Sequence, residues 1–180
     1  MPPDPNAINK HAAELYHALC VRLYGTRSTV LRLTNTFGPH MRVKDGRQTF
    51  VGTWLARAIA GECFEVWGGE QVRDLTYVED AVSACLAVAL EDHTCGEVFN
   101  VGAAESISLR ALADIVVEAA GCGTYVVTEH PANRRDIDIG DYVADDRKLR
   151  AATGWSPDVT LRDGLARTVS FLREHGAEYA

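Results

Sequence analysis

Lys10 and Glu14 stand one helical turn apart, and the run LRLTNTFGP places Arg32, Asn35, Gly38 and Pro39 downstream of them. Taken alone, Lys10 and Glu14 make a surface ion pair worth about 0.3–0.5 kcal/mol. A second group lies in GGEQVRDLTYVEDAV, which holds Arg73 and Asp74. A third is EHPANRRDIDIGDY, residues 129–142, a polar loop rich in Arg and Asp and long enough to be functional. Gln48 and Thr49 precede an apolar helical run, and Thr49 is also suited to cap it. The six histidines show no metal-ligand spacing and no Ser or Cys partner pattern; His40, after Gly38-Pro39, is the one nearest these groups. Cys20, Cys63, Cys85, Cys95 and Cys122 are odd in number, widely spaced and without a C-x-x-C pair, so they read as reduced core thiols and no metal site is expected.

The elements that must carry these residues follow from apolar spacing and capping. Residues 6–24 read as a helix, with Ile8, Ala12, Leu15, Leu19 and Leu23 at three- and four-residue steps and Gly25 at its end. Residues 28–33 form a short buried strand. Helical spacing returns over 50–60, strands are expected at 64–67 and 97–101, and 75–78 is a brief extended piece. Glu79 and Asp80 open an Ala-rich helix reaching about residue 90, acids first as the helix dipole favours. Ser108 caps a helix over 109–120, residues 124–128 make a strand, and helices over about 145–153 and 161–175 close the chain. Trp54, Trp67 and Trp155 lie among apolar neighbours and are expected to pack inside. Helices alternate with strands, so the class is α/β.

Composition narrows the function. The 180 residues, 47% apolar and 24% charged, suit one globular unit without disorder. The net charge of -7, with scattered Lys and Arg, argues against broad nucleic-acid binding. No apolar run reaches membrane-spanning length and no signal-peptide plan is present, so a cytoplasmic protein without a membrane partner is expected. None of the 15 glycines falls into G-x-G-x-x-G, G-x-x-G-x-x-G or a P-loop, so the chain has no dinucleotide cradle of its own.

The order of the motifs resembles the extended short-chain dehydrogenase/reductase family of NAD-dependent nucleotide-sugar epimerases and dehydratases. The segments that carry the resemblance are the Lys10 helix followed by Tyr24-Gly25, LRLTNTFGP, GGEQVRDLTYVEDAV, GEVFNVG, and RRDIDIGDYVADDRKLRAATGWSPDVTLRDGL. They run from about residue 6 to residue 175. The resemblance implies the C-terminal portion of a Rossmann-type enzyme, with the N-terminal NAD-binding half absent. Residues 1–38 would be the last helix and strand of the cofactor side, and residues 39–180 the mixed α/β substrate-binding subdomain.

Roles carry over residue by residue. Lys10 would hold the nicotinamide ribose of NAD and assist catalysis. The family's catalytic Tyr belongs four residues earlier, where this chain has Asn6, and no other tyrosine here precedes a Lys at that spacing. Asn cannot titrate, and loss of a positioned acid/base typically costs about 10² to 10⁴ in rate. The resemblance places Asn35, Gln48, Thr49, Arg73, Arg135 and Asp138 on the nucleoside-diphosphate sugar, the arginines on the diphosphate because their planar fork bonds two phosphate oxygens. Leu75 stands where some members carry an aromatic. The expected function is thus the substrate-binding half of an epimerase or dehydratase that acts by transient hydride transfer when complete. This chain alone is expected to be inactive and to hold NAD only weakly. The alternative is a non-catalytic nucleotide-sugar-binding or dimerisation module. The apolar face of the first helix is expected to drive homo-oligomerisation or pairing with the missing half.

Overall fold

Asp4 starts the first helix because its carboxylate accepts the Ala7 amide at 2.7 Å, and Pro5 supplies the fixed backbone angle of a first helical residue. The computed structural model describes residues 4–44, 49–131 and 139–179. In it α1 is Pro5–Tyr24, closed by Gly25 in the left-handed conformation. The strand that follows, β1 (Val30–Leu33), runs parallel to β5 (Val98–Val101), with Leu33 opposite Val101. One residue later the chain enters another sheet. There β2 (Asn35–Phe37) lies parallel to β4 (Val72–Tyr77), and β6 (Ser106–Ser108) pairs antiparallel on the other side of β4. A third pair is parallel, β3 (Cys63–Trp67) with β7 (Thr124–Thr128).

The remaining helices are α2 (Phe50–Ile59), α3 (Val78–Ala89), α4 (Leu109–Ala120), α5 (Arg147–Thr153) and α6 (Leu161–Tyr179). The main core gathers Leu55, Phe64, Leu112 and Leu165, all fully buried, where α2, α4 and α6 meet β3 and β4. Each such side chain contributes about 1.5–3 kcal/mol. A smaller core holds Phe99, Val101, Leu149 and Trp155 between β5, α3 and α5. Among the described residues no helix is long and apolar enough to cross a membrane.

The α/β class and the long helices match the sequence expectations. The strands β2 and β6 were not expected; each has three residues, too few to show a period. The strand β4 begins three residues before the expected extended piece, since β6 pairs with its first half. All five cysteines are free, in line with reduced thiols, but their expected core placement is corrected: Cys63 and Cys85 are exposed and the other three half-buried. Alternation along β3 turns Cys63 outward and Phe64 inward. The same alternation corrects Trp67, which is 36% exposed, whereas Trp54 and Trp155 are buried.

Candidate functional site

Asn35 stands where the chain changes sheets. β1 ends its pairing with β5 at Leu33, and Asn35 opens β2 opposite Leu75 of β4. Strand alternation puts Asn35 and Phe37 on one face with Arg73, Leu75 and Tyr77. Phe37 and Tyr77 pack edge to face at 5.6 Å, and Leu75 is buried beside them, so Leu75 is core and offers no surface to a base. Asn35 itself is exposed at the rim of that core. On the opposite face the Thr34 and Thr76 hydroxyls share a buried hydrogen bond of 2.7 Å. The bend after β2 needs glycine: Gly38 has φ 148°, and a Cβ there would lie 2.4 Å from Val78 Cγ1. His40 follows with φ 66°, its ring 4.5 Å from that of Phe171 on α6.

Arg73 is 7% exposed, and its guanidinium donates to the carbonyls of Val72 and Gly140. The Val72 amide donates to Asp141 Oδ1 at 2.8 Å, and the Tyr142 amide to the Val72 carbonyl at 2.9 Å. The neighbouring carboxylate, Asp74, accepts the Ala144 amide at 3.0 Å. The start of β4 thus secures residues 140–144, the chain that emerges from the Arg- and Asp-rich loop. Burial pushes the Asp74 carboxyl above its ordinary range, and the negative charge of Asp146 adds to the effect. Arg135, Asp138 and Gln48 lie outside the described residues. Thr49 caps α2, its hydroxyl accepting the Gly52 amide at 3.4 Å.

On α1, Asn6 and Lys10 are both exposed, four residues apart. The expected Lys10–Glu14 pair is replaced by another: Arg32 on β1 takes both Glu14 oxygens, at 2.8 and 2.6 Å. The two-point contact holds the Glu14 carboxyl below its ordinary range. A bidentate guanidinium outcompetes a flexible ammonium for a carboxylate, and Arg32 on β1 lies within reach of the helix.

Two further carboxylates had no bracing role assigned from the sequence. Asp80, 4% exposed at the start of α3, accepts the amides of Asp158 and Val159 at 3.0 and 3.2 Å. Asp146 pairs with Arg150 one turn on, at 2.8 and 2.9 Å. Only the first-turn position of Asp80 marked it in the sequence; its partners lie almost eighty residues away.

Among the described residues no group of His, Cys, Asp and Glu is placed to hold a metal. For a dinucleotide, Lys10 is an exposed donor, but none of the described turns presents a glycine-rich phosphate cradle at a helix N-terminus. Lys10 by itself does not make a dinucleotide site among the described residues.

Comparison with known proteins supplies the family context. The model of the NAD dependent epimerase/dehydratase family matches residues 2–102. UDP-glucuronic acid decarboxylase 1 of Xenopus tropicalis is 30% identical over 181 residues, covering 96% of this chain and 40% of that protein. UDP-glucose 4-epimerase of Mycolicibacterium smegmatis is 29% identical, covering 96% and 54%. The structure of UDP-glucose 4-epimerase of Thermotoga maritima with UDP-glucose superimposes with a TM-score of 0.82 at 30% identity, over 93% of this chain and 53% of that one. The chain spans about half the length of the relatives it matches.

Proposed function

Because the chain belongs to the NAD-dependent epimerase/dehydratase family, we propose that it is the substrate-binding half of a nucleotide-sugar enzyme. The observation that carries this reading is the placement of Asn35 and Arg73 on one face of adjacent parallel strands, where the chain crosses from one sheet to the next. Asn35 follows the carboxyl end of β1, the kind of place where open α/β sheets take ligands, and Arg73 near the start of β4 shares its face. In this reading Asn35 contacts the sugar nucleotide directly. Arg73 acts at the diphosphate and also secures residues 140–144; Gln48, Thr49, Arg135 and Asp138 are assigned to the same ligand by the family resemblance. Residues 1–38 form the cofactor side, which β5 rejoins, and residues 39–180 the substrate side. The proposed compartment is the cytoplasm.

In a complete enzyme NAD would supply transient hydride transfer at a sugar carbon. This chain alone holds the sugar nucleotide and lacks the cradle for NAD, so it is inactive by itself. Asn6, with no titratable proton where the family's tyrosine belongs, favours a second reading as a non-catalytic binding module. Both readings need a partner for the flank around β1, where Ile8, Leu15 and Leu23 on α1 and Leu86 on α3 are exposed. A second copy or the N-terminal half of the enzyme would cover it.

Calorimetry of this chain with UDP-, dTDP-, GDP- and CDP-sugars tests the proposal. Micromolar binding of at least one class is expected, weakened about tenfold by Asn35→Ala, the loss of roughly one hydrogen bond. Failure of every class to bind, or indifference to Asn35→Ala, overturns it. Tight NAD binding by this chain overturns the incomplete cofactor site, and a monomer throughout a sedimentation dilution series overturns self-association.

A further inference from the structure

We propose that Glu14 and Arg32 form a polar latch that positions the Lys10 helix on the strand leading to Asn35. The inference rests on the proposed function only for the role of Lys10. Although α1 has 20 residues, none of them is buried. Hydrophobic packing therefore contributes little to where this helix lies, unlike α4, which buries five residues. Side-chain hydrogen bonds join α1 to β1 and the segment before it. His17 Nδ1 shares a 3.2 Å contact with Ser28 Oγ, and Arg32 grips both oxygens of Glu14.

The second contact has the stronger geometry. A fork-to-carboxylate pair fixes rotation as well as distance, which a single hydroxyl contact does not. Glu14 lies one turn after Lys10 on the same face of α1, and Arg32 lies three residues before Asn35. The latch therefore spans from the side chain expected at the cofactor ribose to the side chain expected at the sugar. Side-chain exposures of 17% for Glu14 and 49% for Arg32 place the pair at a partly shielded helix–strand boundary, where a bidentate ion pair outweighs a fully solvated one. Glu14 and Arg32 are positioning residues; neither is assigned to a substrate.

The charges around the pair set its pH response. His11 Nδ1 lies 3.8 Å from Glu14 Oε2 on α1, Lys10 is one turn away, and Tyr142 lies beside Arg32. Arg32 remains charged throughout the accessible range. Because Glu14 titrates below its ordinary value, the latch is intact above that value and opens as pH falls through the lowered one.

Hydrogen exchange resolved by residue, on the full chain, tests the latch. Arg32→Gln and Glu14→Gln should each speed exchange of the α1 amides 11–20 about five- to tenfold, with α4 amides unchanged as an internal control. The charge-swapped double variant, Glu14→Arg with Arg32→Glu, should return α1 to within about twofold of the wild type, a rescue that a general packing role would not give. The carbon resonance of the Glu14 carboxyl should titrate below the ordinary glutamate range in the wild type and within it in Arg32→Gln. Single variants that leave α1 exchange unchanged overturn the latch. So does a swap that fails to restore protection, or loss of α4 protection together with α1. Sugar-nucleotide calorimetry reads the proposed function separately, so failure of one leaves the other standing.

Discussion

Replacing Asp80 by Asn tests how the two cores are joined. Asp80 is 4% exposed, and its two oxygens receive the consecutive amides of Asp158 and Val159, the turn that launches α6. An asparagine fits the same space and keeps one acceptor, but its amide nitrogen faces a backbone N–H, donor against donor. The loss of one charge-assisted hydrogen bond and the stranded amide cost about 2–3 kcal/mol. Asp80→Ala strands both amides at about 4 kcal/mol. First-turn placement on α3 adds a helix-dipole contribution of about 0.3–1 kcal/mol that both variants lose. For a chain of this size each kcal/mol moves the melting midpoint by about 2–4 °C, so Asp80→Asn should melt about 5–10 °C lower and Asp80→Ala lower still. Circular dichroism melts measure this, and hydrogen exchange at residues 158 and 159 should speed before that of the α4 core. A melting midpoint for Asp80→Asn within about 1 °C of the wild type, or unchanged exchange at those two amides, would refute the bracing role.

Other outcomes follow from the same packing and electrostatics. Gly164→Ala gains up to about 1 kcal/mol of helix propensity but drives a Cβ to 2.8 Å from Phe37 Cζ and 2.9 Å from Tyr77 Cδ2. Overpacking against two buried rings costs about 1–3 kcal/mol, so the urea midpoint should fall, and a rise would show that the rings yield. The Asp74 carboxyl titrates above its ordinary value, so its contribution to stability is greatest below that value and is lost as pH rises through the raised one. The stability of wild type relative to Asp74→Asn should therefore decline across that window in urea titrations at stepped pH, and a flat difference would contradict a carboxyl raised by burial. Thiol titration of the native chain should show two fast equivalents, Cys63 and Cys85, and three slower ones, with all five fast in urea.

Long elements with a clear period were legible in the sequence. The helix α4 spans the residues that Ser108 and Gly121 bracket, because its cap and apolar stripe are both local. The strands β2 and β6 were hidden, since three residues show no alternation and their partners are remote in sequence. At the candidate site, motif order proposed Asn35 and Arg73 but could not show how Arg73 is held. Its partner Gly140 lies 67 residues away. Glu14 misled for the opposite reason: the local rule offered Lys10, and Arg32, eighteen residues on in β1, takes both of its oxygens instead.

The distribution of burial separates two kinds of surface. Around α2, α4 and α6 the apolar residues close on one another, with Leu55, Leu112 and Leu165 wholly excluded from water. Around β1 they do not. That strand pairs on one side with β5, its Leu33 is 46% exposed, and α1 beside it presents Leu15 and Leu23 to solvent. Parallel strands are stable when helices cover both faces and neighbours fill both edges, so a partner on this flank, as proposed above, would add to its stability. A closed core around α2, α4 and α6 and an open flank around β1 predict different cooperativity for the two. The first should unfold as a unit, and the second should exchange its amides early and gain protection when the flank is covered. That asymmetry gives the Glu14–Arg32 contact its importance: on a flank with little buried apolar surface, one bidentate ion pair carries a larger share of helix placement than it would in the core.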